Sequence, residues 1–135
     1  MAARKRPVLA KLSRPRSHDA LPRERLFAIL DGARQRTVVW VSGPPGAGKT
    51  TLVASYLEAR KLHSIWYQLD ASDGDIGAFF HYLSLAAEAL KPKWGAMPVP
   101  YAEVMADSIA FGRGFFREFF SLAGKNLVLV LDNYQ

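Results

Sequence analysis

Apolar residues recur along this chain either in unbroken runs or at spacings of three and four, and the alternation of the two predicts its elements. Leu26, Phe27, Ile29 and Leu30 form a short apolar face after Pro22, which suits a first helical turn, with Gly32 as a stop. Thr37-Val38-Val39-Trp40-Val41 is a continuous β-branched and aromatic run and predicts a buried strand. The stretch Ser42-Gly43-Pro44-Pro45-Gly46-Ala47-Gly48 cannot be the interior of a helix or strand. A helix over about residues 49–60 follows, with Leu52, Val53, Tyr56 and Leu57 on one face. Residues 64–69, carrying Ile65, Trp66 and Tyr67, read as a second strand. After a polar turn at 70–75, where Asp73 or Asp75 can cap the next helix, Ile76, Phe79, Phe80, Leu83, Ala87 and Leu90 recur at helical spacing. Pro92, Pro98 and Pro100 make residues 91–100 a loop. The helical pattern resumes near Ala102 and runs to about Ala123, with Gly112 and Gly114 as candidate breaks. Leu127-Val128-Leu129-Val130-Leu131 predicts a third strand. Strands alternating with helices predict an α/β class built on a parallel sheet.

Composition narrows the field. The chain has 135 residues, 50% hydrophobic and 22% charged, which fits one globular domain or part of one. It has no cysteine, which excludes disulfides, cysteine-ligated metal sites and a thiol nucleophile. Its apolar runs are far shorter than the roughly 20 residues a membrane-spanning helix needs. The net charge of +6 is uneven: residues 1–36 hold ten Lys/Arg against three Asp/Glu, and the remainder is nearly neutral. Residues 1–20 therefore read as a basic leader, and residues 21–135 as the globular part. Such a leader is either a solvated segment or an arm for nucleic acid, but no aromatics interleave its cations. Pro7 and Pro15 break the helix a transit peptide needs, and Val8-Leu9-Ala10 is too short for a secretory signal, so a cytoplasmic protein is expected.

The chemistry lies in Gly43-Pro44-Pro45-Gly46-Ala47-Gly48-Lys49-Thr50, which matches G-x-x-x-x-G-K-[ST] between a predicted strand and a predicted helix. The match arises by chance at roughly one position in ten thousand or fewer. Backbone N–H groups from about Gly46 to Thr51 would surround a β-phosphate. The glycines allow positive φ and close approach, and the following helix adds its positive end. Lys49 would bridge β- and γ-phosphates, and the Thr50 hydroxyl would ligate Mg²⁺. Asp132, delivered by the apolar run before it, has the place of a Walker B carboxylate and would hold the same ion. The next position often carries a second acid that takes a proton from water; here it is Asn133, a neutral amide, so slow hydrolysis or none is expected.

With those residues in view, the chain resembles the signal-transduction ATPases with numerous domains (STAND), specifically the maltose-activator and LuxR-type bacterial regulators. The similarity begins at Lys11-Leu12-Ser13-Arg14-Pro15 and Leu21-Pro22-Arg23-Glu24-Arg25-Leu26, and passes through Thr50-Thr51-Leu52 and Ile65-Trp66-Tyr67-Gln68-Leu69-Asp70. It continues through Asp73, Asp75 and Phe79-Phe80 to Leu131-Asp132-Asn133-Tyr134-Gln135. The resemblance implies a P-loop NTPase sheet of the AAA+ kind, incomplete at its C-terminus. It also implies an ATP/ADP switch with Mg²⁺, and places Arg23 at the adenine pocket. DNA contact would then come only through domains outside this chain, and the whole protein would self-associate with ATP. In the implied sheet order, the strand after Walker B lies between the Walker B strand and the phosphate-loop strand. An open edge and marginal stability are therefore expected.

The alternative is a P-loop small-molecule kinase, in which the Walker B strand lies directly beside the phosphate-loop strand. Phe111, Phe115, Phe116, Phe119 and Phe120 read as packing at helical spacing. Trp40 and Trp66 read as strand packing, and Trp94 as a candidate partner contact. His18, His63 and His81 share no ligand spacing.

Overall fold

The computed structural model describes residues 9–17, 19–90, 104–124 and 126–134. The predicted loop at 91–100, Trp94, His18 and residues 1–8 of the basic leader lie outside them. The chain divides into two compact units, Pro15–Leu62 and a second made of Met1–Arg14 with His63–Gln135.

In the first unit, α1 (Glu24–Ala33) and α2 (Lys49–Ala59) carry the packing. Phe27 is buried and meets Tyr56 edge-on at 5.5 Å between ring centroids, and the Arg60 guanidinium lies 5.6 Å from both ring centres. α2 buries Leu52, Ala54, Tyr56 and Leu57, a wider face than its sequence spacing predicts. The predicted buried strand at 37–41 is not one. These residues have no regular secondary structure, and Val38 and Trp40 are 76% and 70% exposed. β-branched composition favours a strand only where a neighbouring edge takes up the backbone groups and a layer covers the side chains.

The second unit holds β1 (His63–Gln68), α3 (Ile76–Leu90), α4 (Ser108–Ala123) and β2 (Leu127–Asp132). β1 and β2 pair in parallel, from His63 opposite Leu127 to Gln68 opposite Asp132. Parallel neighbours require a long crossover, and the intervening helices supply it. Ile65 and Tyr67 point to one face, where Phe80, Leu83 and Ala87 of α3 and Phe111, Phe115 and Phe119 of α4 complete the core. The predicted aromatic cluster is thus split: Phe115 and Phe119 are fully buried, while Phe120 is 46% exposed. α4 runs unbroken through Gly112 and Gly114. At Gly112 a Cβ would stand 3.4 Å from the Phe80 ring, so glycine lets the two helices close.

Of the two candidate caps, Asp75 serves α3, accepting from the Gly77 amide at 2.9 Å. Asp73 instead closes a capping box with Asp70 around the 3-10 turn Ala71–Gly74. Among the described residues no helix is long and apolar enough to cross a membrane.

Candidate functional site

The sequence forces the loop. Pro44 and Pro45 fix their own φ and offer no amide, and the Ala47 amide closes a turn onto the Pro44 carbonyl at 3.1 Å. Gly46 and Gly48 then adopt φ of 79° and 82°, the left-handed region that side-chain-bearing residues enter at a penalty. Gly48 is the N-cap of α2, and its carbonyl accepts the first helical bond, from the Leu52 amide at 2.8 Å. No cap side chain bonds at this end, and the first turn has no acidic residue. The amides of Lys49, Thr50 and Thr51 come ahead of that first bond, where a helix carries its positive end.

Two cations flank these amides. Lys49 Nζ donates to the carbonyls of Gly43 at 2.7 Å and Pro44 at 3.2 Å. Arg23 Nη2 donates to the Ala47 carbonyl at 3.2 Å, and its guanidinium passes 3.8 Å from where a Gly48 Cβ would stand. The unit therefore brings together Arg23, residues 43–48, Lys49, Thr50 and Thr51. A loop rich in N–H groups, two cations and no carboxylate in the first helical turn fits an anion such as a phosphate chain.

Asp132 and Asn133 belong to the other unit. Asp132 is the last residue of β2, and its Oδ1 accepts from the Asn133 amide at 2.9 Å. Asn133 sits at φ 61°, a conformation asparagine tolerates, and its Nδ2 donates to the Leu69 carbonyl at 3.3 Å. Asn133 thus helps tie together the C-terminal ends of the two strands. There it lines an open pocket of about 500 Å³ with Leu69, Asp70, Ile76, Phe79 and Tyr134. Thr50 and Asp132 are both hard oxygen donors, the type Mg²⁺ takes alongside substrate phosphates.

Two polar clamps escape sequence reasoning. In the first unit, Asp31 accepts from Arg60 Nε at 3.0 Å and Nη2 at 2.9 Å, and from the Tyr56 hydroxyl at 2.7 Å. Arg60 first and Tyr56 second hold the Asp31 carboxyl down to about 2. The only hint is that Tyr56 and Arg60 stand four apart on one helix face. An unfolded Asp31 takes up its proton near 3.8, and the folded one only near 2. Below about pH 4 the unfolded state therefore binds more protons, so the clamp's contribution is complete above that pH and fades toward pH 2. Unfolding followed by circular dichroism should lose stability more steeply between pH 4 and pH 2 in the wild type than in Asp31→Asn. Parallel profiles would show that the clamp contributes nothing.

In the second unit, Lys11 Nζ meets Asp70 at 3.0 Å and Asp73 at 3.1 Å, above the rings of Tyr67 and Tyr82. Burial opposes the Lys11 charge, but the hydrogen bonds to Asp70 and Asp73 outweigh it and raise its pKa. Burial foremost, and the hydroxyl's bond to Asp73, push the Tyr67 pKa far up. A side-chain bond from Ser72, followed by Lys11, holds Asp70 to about 2. The leader's Lys11 is therefore engaged with two aspartates and packed over two tyrosine rings.

Compared with known proteins, the chain is 35% identical over 133 aligned residues to the HTH-type transcriptional regulator MalT of Cronobacter sakazakii. It is 34% identical over 133 residues to the regulator of the same name from Vibrio cholerae. Both alignments take in 94% of this chain but only 14% of the regulator's length. No protein-family model matches the chain, and no solved structure matches it.

Proposed function

Starting from this similarity to transcriptional regulators, we propose that the chain is the ATP- and ADP-binding switch module of a bacterial signalling regulator of the STAND type. One observation carries the reading: the loop at residues 43–50 opens an acid-free, uncapped helix start with Lys49 and Arg23 beside it. Residues 46–51 would present amides to the β-phosphate, and Lys49 would exchange the Gly43 and Pro44 carbonyls for phosphate oxygens. The Thr50 hydroxyl and the Asp132 carboxylate would hold Mg²⁺, which when bound neutralises phosphate charge. Asn133 has no proton-accepting group and already binds the Leu69 carbonyl, which supports a slow or absent hydrolytic step. In this reading residues 21–135 are part of a P-loop NTPase domain of a cytoplasmic protein. DNA contact and ATP-dependent self-association would belong to the whole regulator.

Isothermal titration of the chain with Mg·ATP and with Mg·ADP should register saturable binding of one nucleotide per chain. A folded sample that gives no heat with adenine or guanine nucleotides would refute the proposal.

A further inference from the structure

Gly46 and Gly48 leave the peptide units of the loop free to rotate, because neither has a Cβ to restrict φ. The Ala47 amide and Lys49 hold the leading part of the loop through the Gly43 and Pro44 carbonyls, while the Ala47–Gly48 peptide is held by a bond from α1's N-cap. Resting on the nucleotide reading above, we infer that Arg23 is the positioning residue for that peptide, acting on the loop through Ala47 and not on a base. Its guanidinium holds the Ala47 carbonyl at 3.2 Å. The chain has no cis peptide among its described residues, and a trans peptide points its C=O and N–H in opposite directions. Fixing the Ala47 carbonyl therefore also fixes the Gly48 amide, one of the donors the loop offers an anion.

The rest of α1 explains how Arg23 comes to be there. Arg23 is the N-cap of α1 and meets the chain just ahead of α2. Asp31, two turns further along α1, meets Tyr56 and Arg60 near the end of α2. The two helices thus run side by side in the same direction. The Asp31 clamp and the Phe27–Tyr56 contact set the register that places Arg23 over the loop. Among the described residues only Nη2 of the guanidinium is engaged, so a lysine, whose ammonium can supply one such bond, can serve in its place.

The test uses the full chain, with Arg23→Ala and Arg23→Lys, two ligands and one ligand-free measurement. Inorganic tripolyphosphate has the phosphates of ATP and no base. Arg23→Ala should weaken ATP and tripolyphosphate by the same factor, about two- to tenfold for one hydrogen bond. Without any ligand, amide exchange at Ala47, whose N–H closes the turn onto Pro44, should quicken in Arg23→Ala and stay near wild type in Arg23→Lys. Loss of ATP affinity with tripolyphosphate unchanged would make Arg23 a base contact and overturn the inference. Unaltered Ala47 exchange would overturn it as well, whatever the affinities. Should the wild type bind neither ligand, the nucleotide reading fails while the exchange comparison still decides the role of Arg23. Arg23→Met, which keeps the apolar stem and removes the donors, replaces the alanine variant if that does not fold.

Discussion

Lys49→Ala is expected to weaken ATP binding by roughly 10- to 100-fold, the equivalent of removing a charge-assisted contact of about 1.5–3 kcal/mol. The lower end of that range applies if Lys49 gives up its bonds to Gly43 and Pro44 when it takes phosphate, because only the difference between the two sets counts. Titration calorimetry reads the effect directly. An unchanged dissociation constant would remove Lys49 from the site, and with it the assignment of residues 43–50. Circular dichroism should show the same helix content in both proteins, since Lys49 bonds the loop and packs no core.

The largest effect on stability belongs to Phe115→Ala. Phe115 is 1% exposed and lies against Phe80, Phe111, Phe116 and Phe119, at ring separations of 4.9 to 6.2 Å. Truncating a buried phenylalanine costs about 3–5 kcal/mol, because the cavity left behind adds to the lost transfer energy. Domains are stable by only about 5–15 kcal/mol, so the urea midpoint should fall by about a fifth or more. Phe120→Ala, on the same helix but 46% exposed, should cost about 1 kcal/mol. Equal losses at the two positions would mean that α4 does not pack as described.

Much of this structure is legible in the residues. α3 appears where apolar spacing of three and four places it, and α4 ends where expected but begins at Ser108, after a 3-10 turn over Val104–Asp107, instead of near Ala102; a helix makes its hydrogen bonds within itself and needs only one apolar stripe to dock. Residues 64–68 and 127–131 are strands as expected, each with apolar side chains on the face that α3 and α4 cover. The loop at 43–48 is readable for a different reason: two prolines and three glycines cannot be the interior of a helix or strand, although they leave open which way its peptides face. Arg23 enters the sequence reading only through family resemblance. The bond from Arg23 to Ala47 spans 24 residues, and no local pattern announces it.

The failures have a common cause. Thr37-Val38-Val39-Trp40-Val41 has the composition of a buried strand yet lies exposed without regular structure, since a strand's hydrogen bonds depend on an edge elsewhere in the chain. Asp73 could have capped α3 and instead turned back to Asp70 and Tyr67, close by in the chain, and to Lys11, 62 residues away, which only the assembled unit brings within reach. By itself, then, the sequence determined the helices and the glycine-lined loop, because those rest on local backbone preference. Tertiary structure alone decided which strands pair, which carboxylate meets which cation, and what holds the loop in shape, because each of these joins groups distant along the chain.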